Sequence, residues 1–196
     1  YAGTVYYNRY IPGQWAAAEG VISKAFADNP QRYIIADDLT DQDNAQHIEI
    51  RNAVIGVDFG GGTSAHAFCC VGFTAGYRQM IILDEYREQD ALTPDKLASD
   101  FCDFVTNCKR RWNVTDCYCD SAEQTLINGL RNAAAKAGLP VNIYDAKKKP
   151  INERIRAACL LMGEDRFKIM NHCRVTMDAY ASAVYGLLAL LQQLRT

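Results

Sequence analysis

Apolar residues in the first half of the chain gather in short, largely β-branched runs separated by turn-forming residues. The first run, Ala53–Val57, is followed by Asp58 and, one residue later, by three glycines. Because apolar residues fall on both faces of this run, the pattern predicts a strand buried within a sheet. Ala65–Phe73 and Gln79–Leu83 predict two more strands, joined by a glycine-containing turn at Thr74–Gly76.

Farther along, the spacing predicts helices that alternate with strands. Thr93 and Pro94 are typical of a helix N-cap and a first helical residue, and apolar residues then recur at intervals of three and four. The order predicts a mixed α/β sheet in which three hairpin-like antiparallel strands precede parallel strands flanked by helices. The predicted elements are helix Pro94–Trp112, strand Asp116–Cys119, helix Ala122–Ala137, strand Val141–Tyr144, helix Ile151–Met162, edge strand Phe167–Met170 and helix Thr176–Leu194, with a short early strand at Tyr33–Ala36.

Three acidic residues stand where these elements begin or end. Asp58 and Asp120 each follow a predicted strand, and Asp178 lies near the start of the last helix. A carboxylate held at a sheet edge costs desolvation energy unless a cation or hydrogen-bond donors meet it, so we expect the three to converge as metal ligands. Taken alone, Asp58 is explained equally well as a turn residue. The glycines after it allow either a tight turn or close approach by a ligand.

Composition narrows the class of protein. A chain of 196 residues with 49% hydrophobic content predicts one compact domain. It contains no run of about 18 apolar residues that could span a membrane, and its first residues lack the pattern of a signal peptide. Eight cysteines without a CxxC pair are most simply explained as buried free thiols in a reducing cytoplasm.

Charge is nearly balanced overall but uneven along the chain. The formal net charge of −2 does not suggest a protein that coats nucleic acid. Basic clusters occur at Lys109–Arg111 and at Lys147, Lys148 and Lys149, the second followed by Arg154. Such clusters are usually solvated faces, and contact with phosphates is the sharper alternative.

These motifs together resemble the C-terminal nuclease domain of the large terminase subunit of tailed bacteriophages, whose fold is RNase H-like. The resemblance covers nearly the whole chain. Its third acidic motif, HAMDALRYA, is similar to Thr176–Tyr180, although Val175 stands where the family has histidine and the segment before the final helix is short, with Cys173 joined directly to Arg174. The family's first acidic strand is matched by VDFGGGTSAHAF, its third strand by ILDEYRE, its second acidic site by YCDSAEQTLINGLR and its lysine segment by AKKKPINERI.

The resemblance also implies a domain organisation and partners. Residues 1–50 would be a lead-in segment, with Tyr7–Gly20 similar to the connection between the packaging ATPase and the nuclease, and residues 51–196 would be the nuclease domain. The implied activity is cleavage of double-stranded viral DNA concatemers in the host cytoplasm, with the terminase ATPase domain, the small terminase subunit and the portal protein as partners. The sequence has no GxxxxGK[ST] loop, so we expect neither ATP hydrolysis nor DNA translocation from it.

The implied chemistry is two-metal hydrolysis. Three carboxylates brought together repel one another unless divalent cations lie between them. Two Mg²⁺ or Mn²⁺ ions about 4 Å apart would satisfy the acids, activate a water and stabilise the leaving 3′ oxygen. The resemblance implies Asp58 as the bridging ligand and Asp120 and Asp178 as outer ligands.

Further residues are candidates for supporting roles. Glu85 and Glu123 are candidate auxiliary acids, although Glu123 is better explained as a first-turn helix residue stabilised by the helix dipole. The three lysines and Arg154 would neutralise backbone phosphates, an interaction that is weakened by salt and does not read sequence.

Two other functions fit parts of the sequence. The stretch VDFGGGTSA also resembles the first phosphate loop of actin-like sugar kinases, but that fold needs a duplicated domain and a second Gly-rich loop. A non-catalytic DNA-binding or assembly module that keeps the fold without its chemistry is the other alternative. DNA binding without metal-dependent cleavage would distinguish it.

Overall fold

The structure is a computed structural model that describes residues 21–39, 48–60, 64–90, 92–120, 122–147 and 149–183. It divides into two compact units: a central unit of residues 36–149, and a flanking unit that comprises the residues on either side. The described elements, in chain order, are α1 (Lys24–Asp28), β1 (Ile34–Ile35), β2 (Asn52–Asp58), β3 (His66–Phe73), β4 (Met80–Glu88), α2 (Pro94–Arg111), β5 (Val114–Cys119), α3 (Gln124–Lys136), β6 (Asn142–Asp145), α4 (Ile151–Gly163), β7 (Phe167–Met170) and α5 (Arg174–Ser182).

The central unit is built on a mixed sheet with the strand order β4-β3-β2-β5-β6. Strands β2, β3 and β4 form an antiparallel meander, and β5 and β6 run parallel to β2 on its other side. Parallel strands need crossover connections, and helices α2 and α3 lie in them. The predicted fold, three antiparallel strands followed by parallel strands with flanking helices, is confirmed.

Strand β4 is longer than its sequence suggests. The sequence predicted a strand that ends at Leu83, before the acids Asp84 and Glu85, but the strand continues through them because β3 supplies pairing partners as far as Glu88. The register shifts between Cys70 and Val71, where Leu83 is the extra residue of a bulge in β4. The expectation that the third strand ends at the acids is therefore wrong.

One face of the central sheet is buried and the other is only partly covered. In β2, Ala53, Ile55 and Val57 are buried, whereas the alternating positions are half-buried or exposed. Helix α2 covers the buried face, where the ring of Phe68 contacts that of Phe101 at 5.7 Å between centroids. β2 is internal to the sheet, as predicted, but the predicted burial of both faces is not observed. On this second face, Asp58 is the one residue of β2 that is exposed.

Helix α2 begins as the sequence predicts. The Thr93 side chain accepts a hydrogen bond from the backbone N–H of Lys96 at 3.2 Å, and Pro94 occupies the first turn. The cap satisfies one of the four amides that a helix start leaves without an intrahelical acceptor. Leu97, Phe101 and Val105 then lie on the buried side at helical spacing.

The flanking unit contains a parallel pair of strands and three helices in its described residues. β1 pairs with β7, as Ile34 with Ile169 and Ile35 with Met170, and both strands were predicted. Helix α5 ends at Ser182, earlier than predicted, and the carbonyl of Ala183 accepts a hydrogen bond from Ile22 at 2.8 Å. The rest of the predicted last helix and the segment Tyr7–Gly20 lie outside the described residues. Among the described helices, none has the length and apolar content that a membrane crossing requires.

A buried lysine is held by an ion pair in the flanking unit. Lys168 is 3% exposed, and its Nζ donates to Asp165 Oδ1 at 2.9 Å and to the carbonyl of Arg32 at 3.0 Å. The hydrogen bond from Lys168 lowers the pKa of Asp165, because it favours the ionised carboxylate. The pair compensates the cost of burying an ammonium group.

All eight cysteines are free thiols, and five of them are buried as predicted, whereas Cys69, Cys102 and Cys159 are half-buried. Burial raises the pKa of Cys69 to about 12, and the negative charge of Glu85 adds to the shift. Burial likewise raises the pKa of Cys119 to about 12. These thiols therefore stay protonated near neutral pH and behave as small apolar side chains.

Candidate active site

Asp58 and Asp120 lie side by side at one edge of the central sheet. β2 and β5 are parallel neighbours with Val57 in register with Cys119, and the N–H of Asp120 donates to the carbonyl of Val57 at 3.1 Å. Because adjacent strands are about 4.8 Å apart, both residues project from the carboxyl ends of neighbouring strands. Crevices at this edge are where open α/β sheets bind their ligands. Two of the three predicted acids are therefore brought together.

The two acids differ in their surroundings. Asp58 is exposed, and no side-chain hydrogen bond or ion pair to it occurs within the described part of the chain. Asp120 is half-buried, and its Oδ1 accepts a hydrogen bond from the N–H of Ala122 at 3.3 Å. That bond holds the chain in a turn before α3, which begins at Gln124. The helix therefore starts two residues later than predicted, with Ser121 outside the described residues.

The loop after Asp58 depends on one glycine. A Cβ at Gly60 would lie 2.3 Å from both the carbonyl carbon of Ala65 and the carbonyl oxygen of Ser64. The N–H of Gly60 also donates to His66 Nδ1 at 3.2 Å. The backbone of Ser64 and Ala65 thus packs directly against Gly60 and leaves no room for a side chain there. The two glycines that follow it lie outside the described residues.

His66 is a supporting residue that the sequence did not single out. Its Nδ1 accepts from Gly60, so the neutral ring carries its proton on Nε2. The residue after it, Ala67, pairs directly with Asp58 across the strands. The imidazole therefore ties the turn to the strand beside the acid. Its position a few residues beyond the last glycine of the loop was the available sequence indication.

Asp178 lies in the flanking unit. It is half-buried on helix α5, which begins at Arg174, and its backbone carbonyl accepts a hydrogen bond from Ser182 Oγ. Val175, where the family has histidine, is 45% exposed. Across the described residues there is no group of three or more His, Cys, Asp or Glu side chains that could hold a metal ion. Convergence of Asp178 with the other two acids stays a prediction.

The two candidate auxiliary acids occupy different positions. Glu85 is half-buried within β4, and its cross-strand neighbour Cys69 pairs in turn with Gly56. It therefore shares a sheet face with Asp58 and lies about 12 Å from it, two strand spacings away and two residues along the strand. Glu123 is exposed and immediately precedes α3 without a side-chain capping bond. Glu123 thus lies before the first turn of the helix, not within it as the sequence predicted.

Part of the basic cluster lies at the same sheet edge as the acids. The N–H of Ala146 donates to the carbonyl of Cys119 at 2.8 Å, so exposed Lys147 follows directly at the carboxyl end of β6. Lys149 is also exposed, whereas Lys148 lies outside the described residues. Arg154 is exposed on helix α4 in the flanking unit.

An exposed pair of tyrosines was missed by the sequence reasoning. Tyr118 on β5 is in register with Tyr144 on β6, and their rings stack with centroids 5.6 Å apart. They line an open cavity of about 630 Å³ together with Asp116 and Lys147. Tyr118 alternates with Cys117 and Cys119, and this pattern indicated that its side chain faces outward. The pattern could not indicate the stacking partner, because Tyr144 belongs to another strand.

Sequence comparison finds no match to a protein-family model or to a curated protein. In three dimensions, the large terminase of a thermophilic bacteriophage is similar, with a TM-score of 0.65 and 19% identity over 92% of this chain and 41% of that one. The P22 large terminase nuclease domain gives 0.57 and 12%, over 83% and 78% of the two chains. The nuclease from thermophilic phage G20c, solved with bound magnesium, gives 0.51 and 13%, over 84% and 80%.

These similarities confirm the predicted fold. The chain has the fold of large terminase nuclease domains, and it spans about two fifths of the length of the first of these large terminases. At this level of identity, the function must be argued from the residues of the site.

Proposed function

We propose that this chain is a metal-dependent endodeoxyribonuclease that cleaves double-stranded viral DNA concatemers during phage genome packaging, with little sequence specificity. The observation that carries the proposal is the placement of Asp58 and Asp120 side by side at the carboxyl ends of two parallel strands. The fold of terminase nuclease domains supports it.

The two carboxylates suit a hard divalent cation. Mg²⁺ is usually bound through one or two carboxylates and keeps several waters, and exposed Asp58 has room for such hydrated binding. In the proposal, Asp58 would be the ligand shared by two Mg²⁺ or Mn²⁺ ions, Asp120 would be an outer ligand, and Asp178 would be the third acid on the strength of its motif. When bound, the ions would supply an activated water and stabilise the leaving 3′ oxygen.

The remaining residues of the proposal bind and orient DNA. Lys147 stands at the edge that carries the two acids, where its ammonium group can neutralise a phosphate of the bound strand. Lys148, Lys149 and Arg154 extend this positive charge along the chain. Contacts with phosphates position a duplex without reading its bases, which accounts for the low specificity proposed.

The similarity to large terminases also supports a proposal about domain boundaries and partners. We propose residues 1–50 as the lead-in segment and 51–196 as the nuclease domain, acting in the cytoplasm of the bacterial host. The terminase ATPase domain, the small terminase subunit and the portal protein are the proposed partners in packaging, with double-stranded DNA as the substrate.

The test is cleavage of supercoiled plasmid in Mg²⁺ or Mn²⁺, compared with EDTA. We expect nicking and linearisation that EDTA abolishes. Asp58→Asn and Asp120→Asn should each lower the rate by about 100-fold or more, since several kcal/mol of transition-state stabilisation are lost. Asp103→Asn is the matched control, because Asp103 is an exposed acid on helix α2.

The outcomes separate the alternatives. Wild-type rates in Asp58→Asn would contradict the assignment of the site. A folded wild-type chain that binds DNA but does not cleave with either metal would overturn the nuclease in favour of a non-catalytic DNA-binding module. Cleavage in Asp178→Asn at the rate of the Asp103→Asn control would remove Asp178 from the ligand set.

A further inference from the structure

The partly covered face of the central sheet carries two large aromatic side chains in contact with solvent. Tyr118 is 42% exposed and Tyr144 is 46% exposed. Their ring centroids lie 5.6 Å apart with an interplanar angle of 30°, so the two rings stack on each other. On the opposite face, Phe68 is buried against Phe101 of α2. Aromatic residues exposed in this way are enriched where proteins bind partners.

The tyrosines lie close to the two acids. Tyr118 lies on β5, and Asp120 follows directly after its last residue and continues the ladder through the bond from its N–H to the carbonyl of Val57. The two residues therefore share a face of the sheet about 7 Å apart along the chain. Tyr144 is in register with Tyr118 on β6, and Lys147 follows three residues later. The aromatic surface therefore adjoins the edge proposed to hold the scissile phosphate.

The charges around this cavity favour a ligand that combines a flat ring with a phosphate. Asp145 is neutralised by Arg131 at 2.9 Å and also accepts from Gln124. Asp116 accepts from Asn142 at 3.0 Å at the end of the cavity away from Asp120. Lys147 supplies a positive charge at the end near the acids.

We propose that the Tyr118–Tyr144 pair is a stacking platform for an unpaired base of a DNA strand whose neighbouring phosphate lies at the Asp58–Asp120 edge. The proposal rests on the proposed nuclease function and narrows its substrate. Bases inside an intact duplex have both faces covered by neighbouring bases, so the platform selects DNA with a single-stranded stretch at the bound site. Stacking tolerates any sequence, because every base has a π face.

The test measures binding without cleavage. Anisotropy of a labelled single strand of about 15 nucleotides is compared with that of a blunt duplex of the same sequence, in EDTA at low salt. The Tyr118→Leu/Tyr144→Leu variant should bind the single strand at least about tenfold more weakly, and the duplex within about twofold of wild type. The Tyr118→Phe/Tyr144→Phe variant keeps both rings and should bind like wild type.

Two controls make the result specific. Tyr77→Leu removes an equally large tyrosine, 64% exposed, from the β3–β4 turn at the opposite end of β2, and should leave both affinities unchanged. A strand that carries abasic residues in place of its bases, tested on the wild-type chain, should bind at least about tenfold more weakly than the intact strand. This measurement does not depend on the folding of any variant.

If the Tyr118→Leu/Tyr144→Leu variant lost equal affinity for single strand and duplex, or lost no affinity for either, the stacking platform would be overturned. Tight binding of the abasic strand would do the same. A chain that fails to cut plasmid but shows ring-dependent preference for the single strand would refute the nuclease and support the platform. A chain that cuts plasmid while its single-strand affinity ignores the rings would support the nuclease and overturn the platform.

Discussion

Replacement of Gly60 by alanine should disturb the turn that follows the candidate ligand Asp58. The added Cβ would lie 2.3 Å from Ser64 O and from Ala65 C, whereas ordinary van der Waals contacts begin at 3.4 Å. The atoms in the way are backbone, so the loop must open by about 1 Å. The φ angle of Gly60 lies outside the left-handed range. Glycine is therefore required here by the lack of room for a side chain, and not by the backbone conformation.

The magnitude follows from that displacement. Forcing an extra carbon into a filled site costs about 1–3 kcal/mol of folding free energy. For a chain of this size, that lowers the unfolding midpoint by about 2–4 °C per kcal/mol. Because Asp58 is two residues away, a shift of about 1 Å in the acid can lower the rate of cleavage by as much as about 100-fold.

The assay is thermal unfolding followed by plasmid cleavage, with Gly56→Ala as the matched control. A Cβ at Gly56 would lie 4.0 Å from its nearest neighbour, Cys69 O, so this variant should be as stable as wild type or up to about 1 kcal/mol more stable. If Gly60→Ala unfolded within about 1 °C of wild type and cleaved at the same rate, the turn would not be constrained as the geometry indicates.

Three further predictions concern stability and reactivity. Thr93→Ala should lower the free energy of unfolding by about 1 kcal/mol in urea titration, because the cap to Lys96 is lost. Asp165→Asn should lower the free energy of unfolding by about 1.5–3 kcal/mol at neutral pH, because it weakens the contact with buried Lys168. Since the pKa of Asp165 is lowered in the folded state, the difference in stability between wild type and variant should shrink as pH falls below about 4. A difference that does not change with pH would contradict the ion pair. Cys119, which is fully buried and has its pKa raised to about 12 by that burial, should react with a thiol reagent only after unfolding, as mass mapping of native and urea-treated chains would test.

The sequence predicted the ends of helices and strands correctly where an end depends on residues close together in the chain. Helix α2 begins at Pro94 after the Thr93 cap, and β2 ends at Asp58, as the sequence indicated. Both features depend on backbone preferences and on side chains a few residues apart. The fold class could be predicted because the order of its strands and helices can be read from the sequence.

The predicted ends of β4 and α5 were wrong, because both depend on hydrogen bonds to distant segments. β4 continues to Glu88 because β3 offers backbone partners that far, and α5 ends at Ser182, after which Ala183 bonds to Ile22. In both cases, a hydrogen bond to a remote residue settled a boundary that local propensity left at another position.

The sequence by itself determined the fold class and the acids at the strand ends, because periodicity and strand termination are local properties. Only the tertiary structure decided that Asp58 and Asp120 stand on adjacent parallel strands and that Tyr118 meets Tyr144 on an exposed face. Register between strands far apart in the chain is set by hydrogen bonds and packing over the whole sheet, and a shift of one residue would turn each side chain to the other face.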